Sequence, residues 1–498
     1  MLRNLAPSLS NNHPIQTANM NSAHPVPDPV PLFVDLDGTL IKTDLLVESA
    51  LRLLKSSPFS LFACLIWLIR GGKAGLKAEI ARRVELDASL LPLQQGLVDF
   101  LRNEATAGRT LYLATASDLR LAESVANRLG FFTGLLASTP GTNLKGTRKL
   151  EAILATTGGD PFDYAGNAHA DMPVWAAARQ VLVVNPEPGV AAAAQARFKV
   201  KQLFEDRPPT LRTWLRAVRL HQWLKNLLLF VPLLTAHAFT GAALMTLALG
   251  FVAFGCVASG TYLLNDLLDL DSDRRHPRKS KRPFAAGDIS PIAGLMAMLA
   301  LLVTGLAMAA TLSTPFFLST LAYLVLTLSY SLYFKTYVLI DVLLLAGLYT
   351  VRIIAGALAI GVSVSSWLLA FSIFVFLNLA LVKRCSELKT IESQSRTSAS
   401  GRDYRLSDMG ILNSMGVAAG YISVLVLALY VDNPDVRNVY SHPFLLWLLC
   451  PLMMYWVSRL WIKTSRGEMN DDPLLYSLRD RASWIIFMAM GITTLLAI

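Results

Sequence analysis

Cysteine is scarce and scattered. Only Cys64, Cys256, Cys385 and Cys450 occur in 498 residues, without paired or metal-type spacing, and three of them lie in apolar segments. That pattern excludes a disulfide-stapled scaffold and a cysteine zinc site, and points to reduced, structural thiols. Charge is thin as well: 16% of the chain is charged, 53% is hydrophobic, and mean hydropathy is positive. Soluble domains carry about 25% charged residues, so the balance indicates a membrane protein with room for an extra soluble domain. Residues 1–30 are rich in Pro, Asn and Ser and contain no apolar core. They read as a disordered tail, not a signal peptide. The net charge of +10 then belongs to loops meeting anionic lipids or phosphorylated substrates, and nucleic acid is not an expected partner.

What is present is concentrated at Asn265–Gly287, NDLLDLDSDRRHPRKSKRPFAAG, between two apolar runs each long enough to cross a bilayer. Charge at a membrane edge is costly and marks function by default. Asp266, Asp269 and Asp273 stand at i, i+3 and i+7, a spacing that places three carboxylates on one helical face. Hard oxygen ligands in that arrangement suit Mg²⁺, which keeps its other positions for water and substrate phosphates. Arg274, Arg275, Arg278, Lys279, Lys281 and Arg282 follow directly and could hold the rest of a polyphosphate. A solvated charged loop is the plain alternative, but such a loop does not need its acids on one face.

The same residues resemble the first aspartate-rich motif of the UbiA superfamily of intramembrane prenyltransferases. N-D-x-x-D-x-x-x-D is read at Asn265, Asp266, Asp269 and Asp273, then R-x-H-P at Arg274, His276 and Pro277, then R-P-x-x-x-G at Arg282, Pro283 and Gly287. The resemblance implies an all-α bundle of nine transmembrane helices over residues 223–498, with Mg²⁺ held by Asn265 and the three aspartates.

Upstream, PLFVDLDGTL from Pro31 is an apolar run ending in acids and a turn, the pattern of a buried strand delivering carboxylates at its C-terminal edge. LYLATASD at Leu111–Asp118, FDYAGNAHADMPVW at Phe162–Trp175 and QVLVVNP at Gln180–Pro186 supply further strands, with helical patterns between them. A parallel α/β domain over 31–197 is predicted. Its landmarks resemble the haloacid dehalogenase (HAD) phosphatases. The resemblance implies a Rossmannoid sheet with a helical cap at about 44–108, Asp35 as nucleophile, Asp37 as general acid/base and Thr115 as phosphate-binding hydroxyl. Lys145 is the first choice for the lysine that neutralises the intermediate, with Lys149 a close rival. Mg²⁺ would be held by Asp35, Asp37, Asn167 and Asp171, where Asn167 replaces an aspartate of the family pattern. Within the cap, Pro58–Ile69 is strongly apolar but too short to span. It is either a buried cap helix or a segment dipping into the membrane interface.

Residues 198–222 are basic and read as a linker. Nine apolar spans follow at about 224–240, 243–264, 291–311, 315–334, 338–360, 365–383, 410–430, 443–462 and 482–498. Lys and Arg gather in 265–288, at Lys335, and in 384–408 and 463–481, whereas the opposite loops near 241, 313 and 362 carry no charge. The positive-inside rule then puts the N-terminus and the HAD-like domain in the cytoplasm and the C-terminus outside, in a multi-pass protein of the bacterial inner membrane.

The loop after the sixth span decides the branch. It holds Glu387, Asp403 and Asp408 but no D-x-x-x-D, and it is basic. A second diphosphate–Mg²⁺ cluster would need acids there; a phosphorylated sugar would need Lys and Arg. RLHQWLKN at Arg219–Asn226, YSLYFKTYVLID at Tyr330–Asp341, RIIAGALAIGVSVSSWLL at Arg352–Leu369 and VKRCSEL at Val382–Leu388 resemble the decaprenyl-phosphate phosphoribosyltransferase branch. That implies transfer of 5-phosphoribose from phosphoribosyl diphosphate to a polyprenyl phosphate, with the HAD-like domain dephosphorylating the product. Lys225, Arg274, Arg282, Lys335 and Arg352 are candidates for substrate phosphates. Lys383 and Arg384 are equally explained by snorkelling at a span end, and Arg402 and Tyr404 are weaker candidates. Asp341 and Arg352, eleven residues apart on one helical face, form either a functional pair or an intramembrane salt bridge. The alternative activity is prenyl transfer from a prenyl diphosphate to an aromatic acceptor, with the HAD-like domain regulatory or acting on another phosphate ester.

Overall fold

The computed structural model describes residues 29–498 except 58, 140, 207, 394–401, 435–439 and 470–471. Most of the expected tail (1–28) and part of the basic loop (394–401) lie outside the described residues. The chain forms two compact units: one comprises residues up to Leu40, Leu93–Ser138 and Asn143–Glu205, the other Ile41–Pro92, Thr139–Thr142 and Asp206–Ile498.

The first unit is a six-stranded parallel sheet: β1 Leu32–Val34, β2 Leu111–Asp118, β3 Gly134–Ser138, β4 Asp163–Gly166, β5 Gln180–Val184 and β6 Val200–Phe204, in the order β3-β2-β1-β4-β5-β6. Leu32 pairs with Leu111 on one side and Asp163 on the other. β1 is buried throughout and β5 nearly so, as near-continuous apolar runs require in a sheet covered on both faces. The order reverses at β1/β4, the crevice where open α/β sheets bind ligands. β6 lies inside 198–222, so the first part of the expected linker is a strand.

The second unit contains helix α1 (Leu45–Ser56), capped by Asp44, whose carboxylate accepts from the Val47 amide at 3.0 Å. Helix α2 (Ser60–Ala81) follows and kinks at Gly72, which sits at φ +58°. The apolar stretch Pro58–Ile69 is not a buried cap helix: Phe59, Phe62, Leu65, Ile66, Leu68 and Ile69 are all exposed. The segment Ile41–Pro92, expected as a phosphatase cap, groups with the membrane helices.

Among the described residues, seven helices are long and apolar enough to cross a membrane: Gly241–Leu268 (α3), Pro291–Leu312, Thr314–Leu332, Ile340–Ile360, Ser366–Glu392, Leu406–Asp432 and Pro443–Ser465. An eighth crossing would be the pair Pro473–Arg479 and Arg481–Ala497, bent by 82°. The expected span 224–240 is instead a 3-10 helix, Leu220–Phe230, followed by a short α-helix, Val231–Thr235, with Pro232 at its start. Nine spans therefore become seven long helices, one bent pair and this irregular entry segment.

Close approach holds the entry segment in place. A Cβ on Gly356 would lie 2.0 Å from the Leu229 carbonyl oxygen, whereas one on Gly347 of the same helix would meet nothing within 4 Å. Small residues permit such backbone contacts between membrane helices. Gly356→Ala is expected to cost about 1–3 kcal/mol of stability by overpacking, read as a lower unfolding temperature in detergent. Gly347→Ala should leave that temperature unchanged.

Candidate functional site

In the sheet unit, β1, β2 and β4 bring their carboxyl ends together. Lys149 Nζ donates to Asp35 at 2.9 Å, to Asp171 at 3.3 Å and to the Tyr164 hydroxyl at 2.7 Å. Tyr164 donates in turn to Asp171 at 2.8 Å. The lysine that meets Asp35 and Asp171 is Lys149, not the first choice Lys145. Lys149 and Ile153 are the buried positions of the helix Thr147–Thr157, whereas Lys145 lies on an exposed loop before it. Burial pushes the Asp35 carboxyl up to about 6, with Lys149 pulling it down and Asp171 pushing it further up. Burial alone would lower the Lys149 ammonium, but Asp35 and Asp171 overcome it and hold it above its ordinary value.

The remaining landmarks fall at the same edge. Thr115 is fully buried, and its hydroxyl accepts from the Ser117 amide at 3.0 Å. The Ser117 hydroxyl donates to Asp37, a partner that sequence did not single out. Asp171 accepts from the Asn167 and Ala168 amides, each at 3.0 Å, which ties the acid back to its own loop. The Asn167 side chain lies against Gly38, at φ +73°, where any Cβ would be 2.2 Å from its nitrogen. Among the described residues no three His, Cys, Asp or Glu side chains form a ready cation cage. Asp35 and Asp171 nonetheless meet around one ammonium, which shows that a single cation can be shared between them.

In the membrane unit the aspartate run does not stay on one helical face. Helix α3 ends at Leu268, and Asp269, at φ −99° and ψ 13°, breaks it before α4 (Leu270–Arg275) begins. The break separates the acids. Arg282 bridges Asp266 at 3.1 Å and Asp273 at 2.6 Å, and Arg219 also reaches Asp266. Asp269 turns instead to Lys55 at 2.8 Å and Lys335 at 3.4 Å. Asn265 occupies the last turn of α3, its carbonyl accepting from the Asp269 amide at 2.9 Å. Burial would raise the Asp269 carboxyl, but Lys335 and Lys55 hold it below its ordinary value. Burial keeps the Asp273 carboxyl above it despite Arg282. Mg²⁺ is commonly bound by one or two carboxylates plus substrate phosphates. Asp266 and Asp273, already sharing one cation, fit that demand; Asp269 belongs to a neighbouring basic spot.

A second polar group lies among the helices. Lys225 pairs with Asp472 at 2.6 Å and stands over the Tyr349 ring at 5.3 Å, while Lys383 approaches Asp472 at 3.6 Å. Arg352 donates to Asn226 at 3.1 Å and to the Tyr323 hydroxyl at 3.0 Å. Arg219, Asp472, Tyr323 and Tyr349 were missed as candidates. Arg219 was legible inside RLHQWLKN, but Asp472 sits in a loop read as basic.

Two expected roles change. Asp341 does not pair with Arg352, because eleven residues at 1.5 Å per residue separate them by about 16 Å along the helix. It is fully buried and accepts instead from Arg384 at 2.5 Å and from the Tyr404 hydroxyl. Arg384 also meets the Tyr330 hydroxyl at 3.1 Å and Glu387, to which Arg402 adds a bond at 3.0 Å. Arg384 is thus buried structure, not a snorkelling end. Arg274 is likewise engaged: Glu48 accepts from both its terminal nitrogens, at 2.7 and 2.8 Å, and the Ala285 carbonyl from its Nε at 3.2 Å. Removing one partner of a buried ion pair strands the other, at about 3–5 kcal/mol, whereas replacing both by apolar groups is often neutral. Asp341→Ala should therefore lower the unfolding temperature in detergent sharply, and Asp341→Leu combined with Arg384→Met should recover most of the loss.

Residues 227–478 match the model of the UbiA prenyltransferase family. The chain is 36% identical over 460 residues, 92% of its own length and 89% of the relative's, to the uncharacterized protein y4nM of Sinorhizobium fredii. It is 37% identical to the nodulation protein NoeC of Azorhizobium caulinodans, across 56% of this chain and 91% of that one. With the decaprenyl-phosphate phosphoribosyltransferase of Corynebacterium glutamicum it shares 34% identity over 35% of this chain and 54% of the relative. A run of apolar helices, an aspartate-rich segment at the end of one of them and a family match over half the sequence agree: this chain is an integral membrane protein and belongs to the UbiA prenyltransferase family.

Proposed function

We propose that the membrane unit transfers 5-phosphoribose from phosphoribosyl diphosphate to a polyprenyl phosphate, and that the sheet unit is a HAD-like phosphatase removing the 5-phosphate from the lipid-linked product. The observation that carries the first half is the second polar group. Lys225, Lys383 and Arg352 bring three cations to this group, and the acid described among them, Asp472, already pairs with Lys225 and Lys383. Cations suit a phosphorylated acceptor. The 34% identity to a decaprenyl-phosphate phosphoribosyltransferase supports the same reading.

The chemistry follows from charge. An oxygen of the lipid phosphate attacks the anomeric carbon as the bond from that carbon to the diphosphate breaks. Mg²⁺, bound by Asp266 and Asp273, would neutralise the developing charge on the leaving diphosphate. Arg219 and Arg282 pair with these carboxylates and Lys335 with the neighbouring Asp269, and the three would orient the diphosphate oxygens. Lys225, Lys383 and Arg352 would hold the acceptor phosphate. In the phosphatase, the Asp35 carboxylate would attack phosphorus and Asp37 would protonate the departing sugar oxygen, after which water hydrolyses the acyl phosphate. Lys149 would neutralise that intermediate, and Mg²⁺ would sit with Asp35, Asp37, Asn167 and Asp171.

The segment Leu220–Thr235, eleven residues at about 2.0 Å and five at about 1.5 Å, reaches about 30 Å, long enough to cross the hydrocarbon core. Counted with the bent pair it restores nine crossings. The basic loops then face the cytoplasm of the bacterial inner membrane with the N-terminal unit, and the C-terminus faces the other side. The exposed apolar residues of α2 would rest in the same interface.

Purified full-length protein with Mg²⁺, radiolabelled phosphoribosyl diphosphate and a polyprenyl phosphate should place label in the lipid phase. Asp266→Ala or EDTA should reduce that label by at least about 10²-fold. Asp35→Asn and Lys149→Ala should leave transfer intact but retain the 5-phosphate on the product, whereas Lys145→Ala should behave as the parent. Turnover of a prenyl diphosphate with an aromatic acid, and no lipid label, would establish the alternative activity instead.

A further inference from the structure

Helix α1 lies outside the residues that match the family, yet it meets the aspartate segment along its whole length. Three charged side chains spaced one turn apart each find a complementary partner, in reverse order. Glu48 pairs with Arg274, Arg52 with Asp271 and Lys55 with Asp269. The first pair is buried on both sides, with the side chains only 1% and 4% exposed. Between the charges, Leu51 packs in one apolar cluster with Leu267, Leu268, Leu270 and Phe284, with Val47 and Leu54 beside it. An antiparallel run of matched charges with an apolar seam fixes the helix in register. A chance surface contact has neither.

Register matters because it delivers Lys55. An isolated, partly exposed ion pair is worth little, so the Lys55–Asp269 contact does not explain itself as an anchor; Glu48 and the apolar seam already do that. Asp269 carries one negative charge and is met by two ammonium groups, Lys55 at 2.8 Å and Lys335 at 3.4 Å. The spot holds a surplus positive charge. Both lysines remain partly open to solvent, at 41% and 23%, so an incoming anion can reach them without unfolding anything.

We propose that Lys55 is a diphosphate-binding residue of the transferase site, supplied by the inserted segment Ile41–Pro92, and that α1 therefore completes a site the family region leaves unfinished. The inference rests on the transferase reading above. On arrival of the Mg²⁺-bound diphosphate, Lys55 and Lys335 share Asp269 on one side and the substrate's terminal oxygens on the other. The ligand class is a diphosphate ester, whichever group it carries.

Inorganic diphosphate with Mg²⁺ is the probe, titrated into full-length protein in detergent with binding read by calorimetry. Lys55→Ala is expected to weaken binding roughly 10-fold, the scale of one charged hydrogen bond, and Lys55→Arg to restore it. Lys73→Ala, an exposed lysine of α2, should bind as the parent. Lys55→Ala binding within twofold of the parent, while Asp266→Ala abolishes binding, overturns the role of Lys55 and leaves the transferase reading standing. A parent that binds no diphosphate overturns both.

Discussion

Carboxylates at the edge of a bilayer must be neutralised, and the membrane unit is arranged around how that is done. Arg282 spans Asp266 and Asp273, and two lysines attend Asp269. Each cation comes from a different part of the chain: the loop after α4, the inserted helix α1, and the short turn at Lys335. The aspartates thereby knit together segments far apart in sequence.

The polar chemistry is divided by depth of burial. Asp341 with Arg384 and Tyr404, and Glu48 with Arg274, are enclosed and satisfied, the condition under which buried charge is tolerated. Lys335, Lys383 and Arg282 share their carboxylates and stay partly open to solvent. In the sheet unit the same contrast appears within one cluster: Lys149 is enclosed by Asp35, Asp171 and Tyr164, whereas Asp37 is reached by the hydroxyl of Ser117 on the neighbouring strand.

Much of this was legible in the residues. Apolar runs ending in acids located β1 and β4, seven of the long spans fell where hydropathy put them, and the aspartate segment stood out by its charge. The failures share a cause: spacing along an ideal helix was trusted where the helix ends. Asp269 breaks α3, so i, i+3, i+7 did not hold the three acids on one face. Asp341 and Arg352 do share a face, but the rise along the axis keeps them apart. Lys145 and Lys149 differ only in whether the helix has begun, which a Gly at φ +61° at position 146 decides. The partnership of α1 with the aspartate segment joins residues more than two hundred positions apart, and no local pattern encodes it.

The chain leaves the sheet unit after Leu40 and re-enters it at Leu93, having contributed Ile41–Pro92 to the other unit. Four covalent crossings, after Leu40, Pro92, Ser138 and Thr142, precede the final one after Glu205, so no single scission divides the protein into its two units. A fragment ended near residue 205 would carry α1 without Leu267, Leu268 and Phe284 to cover Leu51, and with Glu48 deprived of Arg274. Dissection of this molecule calls for excision with a short splice between Leu40 and Leu93, and the membrane unit without its insert would have an uncovered apolar seam where α1 had been.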